Sequence, residues 1–155
     1  MLQTDQPAPA FELPDADMTM VTLGDYAGNS NVVLYFYPKD DTPGCTTEAI
    51  DFTNLSDEFA RLNTAVLGVS RDDCTSHAAF VDKHGLNVRL LADTDGEVCE
   101  RYGVWQEKEK NGVKKMGIVR STFIIDKAGI VREALYGVNA QGHARDVLAR
   151  VAQLA

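Results

Sequence analysis

The chain is poor in cysteine. It has three in 155 residues, Cys45, Cys74 and Cys99, and no two stand as C-x-x-C. An odd and widely spaced set excludes the disulfide framework of a small secreted domain. None of the histidines, His77, His84 and His143, lies at zinc-ligand spacing from a cysteine, so no structural metal is expected. Apolar runs are short, and none approaches the roughly 20 residues of a membrane-spanning helix. The opening Met1-Leu2-Gln3-Thr4-Asp5 lacks the basic-then-apolar pattern of a secretory leader, so a reducing cytoplasm is the expected compartment. Positive charge is also scarce: 15 Lys and Arg stand against 23 Asp and Glu, a net charge of −8. That balance argues against nucleic acid or an anionic membrane as partner. The positives that cluster, Lys108, Lys110, Lys114 and Lys115, sit among Glu107, Glu109 and Gly112 and read as a solvated hairpin or loop. Length and composition, 45% hydrophobic and 25% charged, fit one globular domain over residues 1–155.

The elements follow from periodicity. Asn31 to Tyr37 and Thr64 to Ser70 are apolar without alternation, as in central strands covered on both faces. Between them Ala49, Phe52, Leu55, Phe59 and Leu62 keep helical spacing, which predicts one helix from about Thr42 to Arg61. Strand, helix and strand with short joints form a βαβ unit with parallel strands. A second helix is predicted from Asp72 or Asp73 to His84-Gly85, then a strand near Val88 to Ala92 and a short helix through Glu97 to Tyr102. Ser121 to Ile125 and Ile130 to Tyr136 flank Asp126-Lys-Ala-Gly129, a hairpin signal, and a last helix runs from about Gln141 to Gln153. The proline-rich segment from Gln6 to Tyr26 reads as an extension with one small hairpin. A βαβ unit followed by a hairpin and a closing helix is the thioredoxin-like order. The fold class is therefore α/β, with an N-terminal β-hairpin extension and an inserted helix-strand element around residues 73 to 102.

Ligand sites in open α/β sheets form beyond the carboxyl ends of strands. The strand ending at Tyr37 leads through Pro38-Lys-Asp-Asp-Thr-Pro-Gly44 to Cys45, in the first turn of a helix. A thiolate there meets unpaired backbone N–H groups and the positive end of the helix dipole, which favours the ionised nucleophile.

Pro38, Thr42 and Cys45 spell P-x-x-x-T-x-x-C within Phe36-Tyr-Pro-Lys-Asp-Asp-Thr-Pro-Gly-Cys-Thr-Thr-Glu48. This stretch resembles the active-site signature of peroxiredoxins, and Thr-Pro-Gly-Cys-Thr-x-Glu is similar to the Q-type, or bacterioferritin-comigratory, group. Further matching blocks are Pro9 to Leu13, the strand ending at Ser70, Tyr102-Gly-Val-Trp105 and Arg120 to Asp126. The resemblance implies a peroxidase acting on hydrogen peroxide and alkyl hydroperoxides. Cys45 would be the peroxidatic cysteine, Thr42 a hydroxyl partner of the bound peroxide, and Pro38 a shield against water. Arg120 would stabilise the thiolate and polarise the O–O bond. Gly44 and Glu48 would support the site. No metal, flavin or haem is implied. A thioredoxin or similar dithiol would be the reductant, and the chain would be a monomer.

The pattern breaks at the second cysteine. Many Q-type members carry a resolving cysteine five residues after the first, where this chain has Ile50. Cys74, beyond the neighbouring strand, is the resolving candidate, although relatives with a cysteine in that helix place it nearer Val81. Cys99 reads as a buried structural thiol. A one-cysteine enzyme reduced by an external thiol stays open, as does a peroxide-sensing module with little turnover. A disulfide oxidoreductase is disfavoured by the missing C-x-x-C.

Overall fold

The structure is a computed structural model describing residues 1–154; of the expected domain, Ala155 lies outside the described residues. The chain opens with a small antiparallel hairpin, β1 (Glu12–Pro14) and β2 (Met20–Thr22). It continues through β3 (Asn31–Phe36), α1 (Pro43–Asn54), α2 (Ser56–Arg61), β4 (Thr64–Ser70), α3 (Cys74–His84), β5 (Arg89–Ala92) and α4 (Glu97–Arg101). A second hairpin, β6 (Trp105–Lys110) and β7 (Val113–Ile118), precedes β8 (Ser121–Ile125), β9 (Val131–Tyr136) and α5 (His143–Ala152).

The main sheet has the order β5-β4-β3-β8-β9. Its first half is parallel, as the βαβ reading requires, and β8 and β9 run antiparallel to β3 and to each other. Alternation along β3 decides the layering. Val32, Leu34 and Phe36 enter one apolar cluster; Val33 and Tyr35, with Tyr37 just beyond, enter the other. The first cluster takes Phe11, Leu13 and Val21 from the N-terminal segment and Val98, Cys99 and Tyr102 from the α4 region. The second takes Cys45, Ala49 and Phe52 of α1, Phe80 of α3, and Ala144 and Val147 of α5. The N-terminal hairpin and α4 thus cover one face of the sheet. The longer helices cover the other, and Cys45 lies under them.

One expectation is corrected. The single helix from Thr42 to Arg61 is two segments, separated at Leu55 (φ −98°, ψ 6°). There the Leu55 N–H is shared between the carbonyls of Asp51 and Phe52, so a tightened turn is added to the regular bond. The apolar spacing survives because Leu55, Phe59 and Leu62 still meet the same cluster. α3 has the ends its sequence announces: Asp73 accepts from the Ser76 N–H at 2.8 Å, and Gly85 closes it at φ +61°. The lysine-rich segment is the exposed β6–β7 hairpin. Among the described residues, no helix is long and apolar enough to cross a membrane.

Candidate active site

β3 ends at Phe36, and the chain passes through Tyr37 to Asp41 before α1 begins. Pro43 occupies the first helical turn, where its missing N–H costs nothing. Cys45 therefore stands two residues inside the helix, at its positive end, and is only 2% exposed. Arg120, from the link between β7 and β8, reaches across 75 residues of sequence to put Nη2 3.2 Å from Cys45 Sγ. Its Nη1 donates to Glu48 Oε1 at 2.6 Å. One planar fork thus spans a thiol and a carboxylate, which a lysine could not match.

Glu48 is fully buried one turn after Cys45, and its Oε2 has no hydrogen-bond partner among the described residues. Burial pushes its carboxyl up to about 7, against the pull of Arg120. For Arg120, burial opposes the charge, but Glu48 and Cys45 outweigh it and raise its pKa. Gly44 lets the guanidinium approach: a Cβ on Gly44 would come within 3.2 Å of Nη2. Thr42 takes the N-cap position, yet its hydroxyl donates to the Lys39 carbonyl at 2.9 Å instead of capping the helix. The hydroxyl so belongs to the loop entering the site. Pro38 is exposed and borders a groove of 720 Å³ with Trp105, Ile118, Met116 and Lys108. Tyr37 is 1% exposed, and its ring packs inward against Tyr35.

The structure therefore gathers Thr42, Gly44, Cys45, Glu48 and Arg120 at one helix start, with Pro38 on the rim. Cys74 is half-buried at the start of α3 and borders a separate groove with Leu13, Pro14, Met18 and Ala92. Cys99 is fully buried, and burial together with the hydrogen-bonded Asp93 raises its thiol well above the usual range. It has the environment of an inert core thiol. All three cysteines are free. Among the described residues, no cluster of three or more His, Cys, Asp and Glu side chains is arranged to hold a metal ion.

Sequence reasoning missed a polar network beneath the loop. Asp40, 7% exposed, accepts from Tyr37 Oη at 2.6 Å, Ser76 Oγ at 2.8 Å and His77 Nδ1 at 2.7 Å. His77 is completely buried, and its Nε2 lies 2.9 Å from the Leu91 carbonyl. The available signal was a histidine three residues before Phe80, on the inward side of a helix that otherwise buries apolar groups there.

The model of the AhpC/TSA family matches residues 4–134. The chain is 41% identical to the putative peroxiredoxin bcp of Coxiella burnetii over 150 residues, 97% of this chain and 99% of that protein. It is 42% identical to peroxiredoxin Bcp of Bacillus subtilis over 147 residues, 95% of this chain and 93% of the relative. Among solved structures it resembles the bacterioferritin comigratory protein of Xanthomonas campestris, studied for its alkyl peroxide reduction activity, with a TM-score of 0.91 and 39% identity over 98% of this chain and 99% of that one. A mutant of Xylella fastidiosa PrxQ gives a TM-score of 0.93 and 37% identity over 99% of this chain and 98% of that one.

Proposed function

Because the chain belongs to the AhpC/TSA family and is a thiol peroxidase of its Bcp, or Q-type, group, we propose that Cys45 is its attacking thiolate and that Thr42, Pro38, Gly44, Arg120 and Glu48 build the site around it. The observation that carries this reading is the Arg120 fork, one nitrogen on Cys45 Sγ and the other on buried Glu48. The cation favours the thiolate and stays aimed where the peroxide oxygens must lie. Thr42 supplies a hydroxyl at the mouth of the same helix, and Pro38 excludes water from the rim. Gly44 leaves room for the guanidinium.

In the first half-reaction the Cys45 thiolate attacks the distal peroxide oxygen. An S–O bond forms as the O–O bond breaks. Sulfur loses two electrons, and the departing hydroxide or alkoxide takes a proton to leave as water or alcohol, giving Cys45 sulfenic acid. Cys74 then condenses with the sulfenic acid, releasing water and forming a disulfide. A thioredoxin-type dithiol restores both thiols by exchange. The apolar rim at Trp105, Met116 and Ile118 suits alkyl hydroperoxides as well as hydrogen peroxide. The enzyme acts as one domain over residues 1–155, as a monomer, in a reducing cytoplasm.

One observation favours a second reading of the resolving step. Cys74 borders the groove beside β1 instead of joining the cluster that holds Cys45, and a disulfide needs Cα atoms within roughly 7 Å. In that reading an external thiol reduces Cys45 directly. Mass-spectrometric mapping after one equivalent of hydrogen peroxide, with a sulfenic-acid trap, separates the two. A Cys45–Cys74 disulfide supports the internal resolver, and a trapped Cys45 without disulfide supports the one-cysteine cycle. An unreactive Cys45 overturns both.

A further inference from the structure

We propose that Asp40 and His77 are positioning residues: they form a clamp that holds the Cys45 loop for peroxide attack and must release before the oxidised sulfur can be reduced. The loop from Tyr37 to Thr42 delivers Cys45, yet much of its anchorage comes from outside. The Asp40 N–H donates to Asp72 Oδ2 at 2.8 Å. The Asp40 carboxylate takes hydrogen bonds from Ser76 and His77, in the first turns of α3, and from Tyr37. Asp41, strained at φ +58°, is met by Lys83 Nζ at 2.6 Å and His84 Nε2 at 2.8 Å from the other end of α3. One helix thus grips the loop at both its ends.

The His77–Asp40 contact makes this grip two-state. The Leu91 carbonyl can only accept, so His77 Nε2 carries a proton. The 2.7 Å contact between Nδ1 and the Asp40 carboxyl group leaves both ring nitrogens of this buried side chain engaged. Burial works against the charge of Asp40, but the hydrogen bonds from His77, Tyr37 and Ser76 hold its carboxyl below the usual value. A buried pair of this kind cannot loosen gradually, since half-separation would leave polar groups without water or partner.

The two half-reactions make opposite demands on it. Peroxide is small and reacts where Arg120 is aimed at the sulfur. A thiol must approach that sulfur opposite the S–O bond, and a residue 2% exposed offers no such path. The exchange is Cys45–SOH plus R–SH giving Cys45–S–S–R and water: an S–S bond forms, the S–O bond breaks, and the thiol proton leaves with hydroxide. Weakening the clamp should slow the first step and speed the second. General damage to the fold would not separate them in this way.

The test uses the full chain carrying Cys74→Ser, so that no internal thiol competes. It measures the rate of Cys45 oxidation by hydrogen peroxide and the rate at which dimedone captures the sulfenic acid. His77→Gln keeps a donor near the place of Nε2 and abandons Asp40; it should oxidise about 10-fold more slowly and be captured about 10-fold faster. His77→Asn keeps a donor at the place of Nδ1 and should stay within about 3-fold of the parent in both rates. Ser76→Ala removes one bond only and should shift both rates about 2- to 5-fold in the same opposed directions, deciding the matter if His77→Gln does not fold. Rates that fall together, or do not move, overturn the clamp, as does His77→Asn behaving like His77→Gln. The proposal rests on Cys45 as the attacking thiol. Failure of that reading is distinct, because Cys45 of the parent would then not oxidise at all.

Discussion

Arg120 connects a buried acid to a reactive thiol, and its shape makes the connection. Nη1 and Nη2 serve Glu48 and Cys45 at once. A lysine keeps the charge but presents it at one point. Arg120→Lys should therefore lower the second-order rate constant of Cys45 oxidation by about 100-fold, in line with loss of an aimed donor. Stopped-flow oxidation with hydrogen peroxide reads this directly, and a loss of under about 3-fold would remove Arg120 from the chemistry. Gly44→Ala acts on the same atoms from the other side. A Cβ 3.2 Å from Nη2 displaces the guanidinium, so the expected outcome is about a 10-fold slower oxidation with a melting temperature close to wild type. The motif spacing made Thr42, Gly44, Cys45 and Glu48 legible as neighbours, because residues one turn apart share a helix face whatever the tertiary fold. Nothing local could say that the hydroxyl of Thr42 turns to Lys39 instead of capping the helix.

At the scale of elements, two glimpsed features carry more than their sequence suggests. β4 has Gly68 in the middle of an apolar run, with the ring of Tyr35 across it. A Cβ there would lie 2.7 Å from Tyr35 Cζ and 2.8 Å from Leu90 Cδ2. Gly68→Ala should destabilise the protein by about 1–3 kcal/mol through overpacking, measured by urea unfolding, even though alanine is otherwise the better strand residue of the two. α3 depends on Asp73, whose side chain accepts from the Ser76 N–H at 2.8 Å. Asp73→Ala should cost about 1 kcal/mol, and because Ser76 and His77 follow in the same turns, Cys45 oxidation should slow with it. The ends of α3 were readable as Asp before and Gly after. The break at Leu55 was not, since the same apolar period serves a continuous helix and an interrupted one.

At the scale of the whole molecule, two buried groups pull stability in opposite directions with pH. Glu48 is raised from 4.5 to about 7, so its contribution favours folding at low pH and is lost as pH rises through about 7. His143 is lowered from 6.5 to about 4, mainly by burial, and makes a 2.7 Å hydrogen-bonded contact with Thr122. Its contribution is present above 6.5 and lost as pH falls through about 4. Between about 4.5 and 6.5 the two oppose each other. Relative to wild type, the melting temperature of Glu48→Gln should rise with pH across that window, and that of His143→Gln should fall. Parallel curves for either variant would show that its group is not shifted as its burial implies. The sequence by itself determined the elements apart from the break at Leu55, the βαβ unit that makes the sheet thioredoxin-like, and the placing of Cys45 at a helix start, because periodicity, caps and turn residues act over a few neighbours. The resemblance already set Arg120 beside Cys45; only the tertiary structure decided how one guanidinium spans Cys45 and Glu48 across more than 70 residues, that Glu48 is buried against it, and that Asp40 and His77 join across 37. Those pairings depend on the order of strands in the sheet and on which helix lies over which strand. A residue's own neighbours along the chain carry no record of that order.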